Sequence, residues 1–263
     1  MTSETTGLRA KDIFKFLIGN PESIRRVVRS PWSLVVGVLL VWGAGITRHY
    51  DLHNLIEQHR LVWLPFIMVL VSSSLIYFCI YFAFLRRKKE EEKRPGFFRQ
   101  FPLFLGAFLL TAPIAWIYAI PVEHFTNADP LTSAKWNMAF LAIVSLWRVG
   151  LIAKVIVVMP KAPWWKALVV VFSPARLEAM LASAFEAMDI VGVMGGIELA
   201  PSEKFRVESL HVISGVSFWI MVVTFIAIWF PLKNDRGDVE GFVFVRQPAP
   251  RNALITDAIC LVA

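Results

Sequence analysis

LVWLPFIMVLVSSSLIYFCIYFAFL, residues Leu61–Leu85, carries no charged side chain along its whole length. A helix needs about 20 mostly apolar residues to cross a bilayer, so this stretch is long enough. FLAIVSLWRVGLIAKVIVVM, Phe140–Met159, is a second run of that kind. The chain as a whole is 57% hydrophobic with a mean hydropathy of +0.60. Soluble domains have roughly 45–50% apolar residues. The excess is gathered in runs and does not alternate with polar residues over ~10-residue segments, as a membrane β-barrel would require. The expected fold is therefore an all-α polytopic transmembrane helical bundle.

Six spans are expected, at Pro31–Thr47, Leu61–Leu85, Phe101–Ile120, Trp136–Met159, Trp165–Ile190 and His211–Phe230. They divide the chain into a basic, amphipathic N-terminal segment (1–30), the bundle (31–230) and a C-terminal tail (231–263). On this division nineteen Lys and Arg fall on the side of the N-terminus and five on the other. The positive-inside rule then places both termini in the cytoplasm. The strongest anchor is RRKKEEEKR, Arg86–Arg94. If the fifth segment lies on the surface instead of crossing, the counts become seventeen and seven. Tryptophans agree with the layout: Trp63, Trp116 and Trp136 fall near outer ends, and Trp32, Trp164, Trp165 and Trp229 near inner ends.

The N-terminal segment has two readable parts. KDIFKFLI mixes Ile13, Phe14, Phe16, Leu17 and Ile18 with Lys11, Asp12 and Lys15, the composition of an interfacial helix. Asn20–Pro21 marks the start of a second helix carrying Arg25, Arg26 and Arg29, and Ser30–Pro31 repeats the signal ahead of the first span. Gly37, Gly43 and Gly45 in that span suit close packing against a neighbour. The tail holds a turn-rich linker, NDRGDVEG, a short strand-like FVFVRQPAPRN, and ALITDAICLVA, too short to span.

The net charge of +7 does not indicate nucleic acid, because the basic residues sit at the ends of apolar runs. Cys79 lies in an apolar run and Cys260 in the tail, so both read as reduced thiols. The first apolar run follows a long charged segment and reads as a retained helix, not a cleaved signal. Motifs for nucleotide, zinc-protease, serine-hydrolase and dithiol chemistry are missing. No cofactor is expected.

Two sets of polar residues are candidate sites. The first is intramembrane. Arg148 stands near the middle of the fourth span, where a charge costs at least ~2.5–3.5 kcal/mol and calls for a partner inside the bundle. Lys154 lies nearer the inner end and can snorkel. In the fifth segment Glu178, Glu186 and Asp189 share one helical face, with Glu178 at about the depth of Arg148. The expected pair is Arg148–Glu178, either lining a polar pathway or clasping two helices. A surface-lying fifth segment removes it.

The second set lies on the outer side: Arg48, His49, Asp51, His53, Glu57, Glu123 and His124. With Asp51 as cap, a helix would put His53 and Glu57 on one face at i, i+4, and if the helix runs back through Tyr50, His49 joins them at metal-ligand spacing. An interfacial turn explains the same residues, and whether a metal binds is left open. Glu123 and Arg48 read as a surface contact of little energy.

The Asn20–Pro21 to Pro31 lead-in, GAGITRHYD (Gly43–Asp51), APIAWIYAIPVEHF (Ala112–Phe125), Trp147–Val149 and MGGI (Met194–Ile197) form a familiar set. Together they resemble a family of bacterial multi-spanning membrane proteins, Yip1-like in layout and without an assigned activity. The resemblance implies a bacterial inner membrane and about six helices, and it carries over no catalytic residue. The leading functional expectation is a non-enzymatic membrane organising or accessory protein, whose partners are the lipid bilayer and other membrane proteins or itself. The second is a small-solute, ion or proton transporter using the charges of spans four and five. The third is a metal-dependent enzyme on the outer face.

Overall fold

Capping signals organise the N-terminal segment. Helix α1 (Ala10–Leu17) ends at Gly19, whose φ is +81°. The Gly19 N–H donates to Phe16 O at 2.7 Å and the Asn20 N–H to Lys15 O at 2.9 Å. This paired closure needs a left-handed residue, and glycine adopts that conformation without strain. Asn20 then caps α2 (Pro21–Arg29): its Oδ1 accepts from the backbone N–H groups of Glu22 and Ser23, at 3.0 and 3.1 Å. Helices α1 and α2 form a hairpin tied by Arg26 Nη1 and Asp12 Oδ1, 3.1 Å apart. The guanidinium is exposed, so the pair sets geometry more than it adds stability.

The computed structural model describes residues 8–46, 60–82, 97–120, 129–159, 162–175 and 200–234. The regular elements among them are all helical. After the hairpin come α3 (Trp32–Ile46), α4 (Arg60–Ile80), α5 (Phe97–Leu109), a 3-10 helix (Ala112–Ala119), α6 (Pro130–Val158), α7 (Trp164–Ala175) and α8 (Pro201–Asn234). Three stretches are long and apolar enough to cross a membrane: Phe97–Ile117, Pro130–Val158 and Pro201–Thr224. The bent pair α2–α3 would make a fourth. The apolar part of α4, Phe66–Ile80, and α7 are shorter. Among the described residues the protein is thus all helical, with three to four helices long and apolar enough to cross a membrane.

Side-chain contacts give the helix directions. Gly37 opposes Leu109 while Ser33 and Leu34 oppose Gly106, so α3 and α5 run parallel. Tyr81 meets Phe97, and Tyr77 meets Phe101 and Phe104, so α4 runs antiparallel to α5. Helix α6 meets Thr111 through Arg148 and reaches Gly19 with Lys154, so it returns toward the hairpin. Lys135 lies over the Phe205 ring, which sets the start of α8 beside the start of α6. Ser173 Oγ and Thr224 Oγ1, 3.5 Å apart, connect α7 to the later part of α8.

The hairpin belongs to the main core. Phe16, Ile24, Val27 and Val28 are fully buried in one cluster with Tyr77, Phe104, Ile152 and Ile156. The apolar periodicity of α1 and α2 is thus satisfied by α5 and α6 in addition to any lipid. A close approach joins α3 to α5: a Cβ on Gly37 would lie 2.5 Å from Leu109 Cβ, whereas at Gly43 the nearest atom would be 3.8 Å away.

Several boundaries differ from the sequence expectation. Helix α6 begins at Pro130, ahead of Trp136, because Asp129 Oδ1 accepts the Thr132 N–H at 2.6 Å and Pro130 occupies the first helical position. The hydrogen bonds from Thr132 hold the Asp129 carboxyl below the usual carboxylate range. Helix α8 begins at Pro201, ahead of His211, with Glu203 Oε2 accepting the Ala200 N–H at 3.0 Å. Ser30 does not cap α3. Its hydroxyl is buried with no hydrogen-bond partner among the described residues. Instead the Ser33 hydroxyl donates to the carbonyls of Val27 and Ser30, closing α2 at the turn made by Pro31. The third expected span, Phe101–Ile120, is not one continuous α-helix but breaks at Leu110–Thr111. Pro113 has no N–H to give Leu109 O, and its ring clashes with that carbonyl.

Candidate functional site

The break in the third span and the arginine in the fourth form one site. Helix α5 closes with the Thr111 N–H on Phe108 O at 3.1 Å, and the 3-10 helix opens with the Ile114 N–H on Thr111 O at 3.1 Å. The Thr111 hydroxyl donates to Phe108 O at 2.7 Å. That spends its proton and leaves lone pairs toward α6. Arg148 Nε donates to Thr111 Oγ1 at 3.2 Å, and the guanidinium carbon sits 5.2 Å from the centre of the Phe108 ring.

Among the described residues three attractions thus meet the arginine. A hydrogen bond from a charged donor contributes about 1.5–3 kcal/mol. A desolvated cation–π contact adds up to about 2 kcal/mol. The C-terminal end of α5 presents the negative end of its dipole. These are of the size of the ~2.5–3.5 kcal/mol that a mid-membrane arginine costs. Thr111 is fully buried and Arg148 half-buried. Chemically the arrangement holds a positive charge and fixes two helices.

Of the intramembrane residues expected to matter, Arg148 and Lys154 are described. Glu178, Glu186 and Asp189 lie outside the described residues, and so does the expected Arg148–Glu178 pair. Lys154 reaches the hairpin: a Cβ on Gly19 would lie 3.1 Å from its Cδ and 3.4 Å from its Nζ. Trp147 Nε1 donates to Leu17 O at 2.9 Å. Trp147 and Lys154 therefore hold the end of α1, where a cation favours the helix dipole.

The outer set, Arg48, His49, Asp51, His53, Glu57, Glu123 and His124, lies wholly outside the described residues. His211 is described, exposed, with Nδ1 3.0 Å from Val207 O. Among the described residues no three His, Cys, Asp or Glu side chains gather as a metal site would need.

Sequence reasoning missed Thr111, Phe108 and the grip of Trp147 on Leu17. The first had a signal: Thr111-Ala112-Pro113 places a hydroxyl just before a proline inside an apolar run. Such hydroxyls satisfy backbone groups that a proline frees. Comparison of the chain with family models, curated protein sequences and solved structures finds no match in any of the three.

Proposed function

We propose that this chain is a non-enzymatic membrane scaffold, an organising or accessory protein of a bacterial inner membrane that works through partners within the bilayer. The observation that carries the reading is the engagement of Arg148. Its guanidinium engages Thr111 and Phe108, a clasp between α6 and the broken third span. The bare faces of α6 and α8 support it. Only 33% of the spanning window of α6 and 12% of that of α8 are buried. Trp219, Val223 and Val212 stand 68%, 63% and 65% exposed. The proposal keeps six passes with cytoplasmic termini, a layout that the parallel run of α3 with α5 and the antiparallel run of α4 fit. The resemblance to Yip1-like membrane proteins fits the same layout.

The test is photo-crosslinking in native membranes from Trp219, with buried Val144 as control. The expected result is a small set of defined protein adducts from Trp219 and none from Val144. Lipid adducts alone, with a solute flux in proteoliposomes that Arg148→Gln abolishes, would contradict the scaffold reading. That outcome defines the second reading, a small-solute or ion carrier. One observation favours it: a helix interrupted beside a charge is how many carriers build a midplane site.

A further inference from the structure

We infer that the outward face of the α1–α2 hairpin is a docking surface for anionic lipid headgroups. Its geometry comes from the turn at Pro31. The axes of α2 and α3 differ by 99°. With α3 running along the membrane normal, α2 lies flat in the membrane plane, and α1 lies against it.

On this proposal the hairpin lies at interface depth. Trp164 and Trp165, which begin α7 just after α6 ends beside the hairpin, are about half exposed, and Trp concentrates where headgroups meet acyl chains. The inner face of the hairpin is closed by the core. The outward side of α1 and its C-cap carries Phe14 and Ile18, 67% and 64% exposed, beside Lys11 and Lys15, also exposed. Residues 9–29 carry six Lys and Arg against two acids, and one of those acids, Asp12, is taken by Arg26. Arg25 and Arg29 point outward from α2. Exposed apolar side chains set beside cations suit a surface that is apolar below and anionic above, as a lipid leaflet is. A soluble acidic partner would leave Phe14 and Ile18 without an apolar phase.

The core contacts give the surface its special character. An ordinary amphipathic anchor folds on the lipid and pays the ordering entropy there. This hairpin is already ordered by Phe16, Ile24, Val27 and Val28. Its cations are fixed relative to the bundle, so headgroup selection survives in detergent, without a bilayer.

The experiment uses the full purified chain in mixed micelles containing equal amounts of phosphatidylglycerol and phosphatidylcholine, and measures the lipid retained after repurification. Phosphatidylglycerol is expected to be enriched in the wild type. Combined Lys11→Gln, Lys15→Gln, Arg25→Gln and Arg29→Gln should reduce the enrichment about tenfold or more, since each cation near the surface contributes to anionic-lipid attraction. The melting temperature should change little, because all four are exposed. If that variant fails to fold, wild-type enrichment should still fall steeply with added salt. Enrichment that the four substitutions leave unchanged, or that salt does not weaken, would overturn the proposal. So would displacement of the lipid by an acidic peptide of equal charge, which would assign the surface to a protein.

Discussion

Gly37→Leu is expected to destabilise the detergent-solubilised protein by more than about 3 kcal/mol, seen as a large drop in melting temperature. A Cβ at this position would already stand 2.5 Å from Leu109 Cβ and 3.3 Å from Gly106 O. The second of these is backbone, so the helices must separate. Forcing one extra group into a packed interface costs about 1–3 kcal/mol, and leucine adds several. Gly37→Ala should give the lower end of that range. The control is Gly150→Ala, where a Cβ would meet nothing within 4 Å. Alanine is better than glycine in a helix interior by about 1 kcal/mol, so this variant should melt at the same temperature or higher. Equal losses at the two glycines would show that close packing of α3 on α5 does not hold the fold.

Ile24→Asp is expected to detach the hairpin, at a cost of more than about 3 kcal/mol, the scale of an uncompensated buried charge. Ile24 is fully buried in the cluster that includes Phe104, Ile152 and Ile156. The readout is limited proteolysis together with melting: cleavage within α1 and α2 should appear before the bundle unfolds. Glu22→Gln, exposed on the same helix, should change stability by no more than about 0.5 kcal/mol. If Ile24→Asp melts like wild type and resists protease, the hairpin rests on the surface without belonging to the core.

The helical class and the position of the apolar runs were readable because spanning length and charge placement are local properties. Asn20–Pro21 and Gly37 were readable for similar reasons: a cap and a close approach each require particular residues. The role of α1 was not. An amphipathic stripe such as Phe16 with Leu17 looks the same whether lipid or another helix covers it. The break at Thr111 was written in Pro113 but hidden by the apolar run around it. The starts of α6 and α8 lie outside their apolar runs, where Asp129 and Glu203 set them by capping. The partner of Arg148 was sought among carboxylates, since opposite charge is the obvious compensation. Among the described residues the structure gives Arg148 a hydroxyl, an aromatic face and a helix end, a combination that sequence spacing does not display, while Glu178 lies outside them.

The clasp is tested most directly by a double-mutant cycle between α6 and the broken third span. Arg148→Met keeps an unbranched apolar stem and removes the guanidinium with its charge. Thr111→Val keeps the shape and removes the hydroxyl that Arg148 Nε contacts at 3.2 Å. Melting free energies of the two single variants and the double variant in detergent give the coupling. The account predicts non-additivity of about 1–2 kcal/mol, the worth of a hydrogen bond from a charged donor. Additivity within about 0.5 kcal/mol would contradict it, because residues that do not interact add to within that margin.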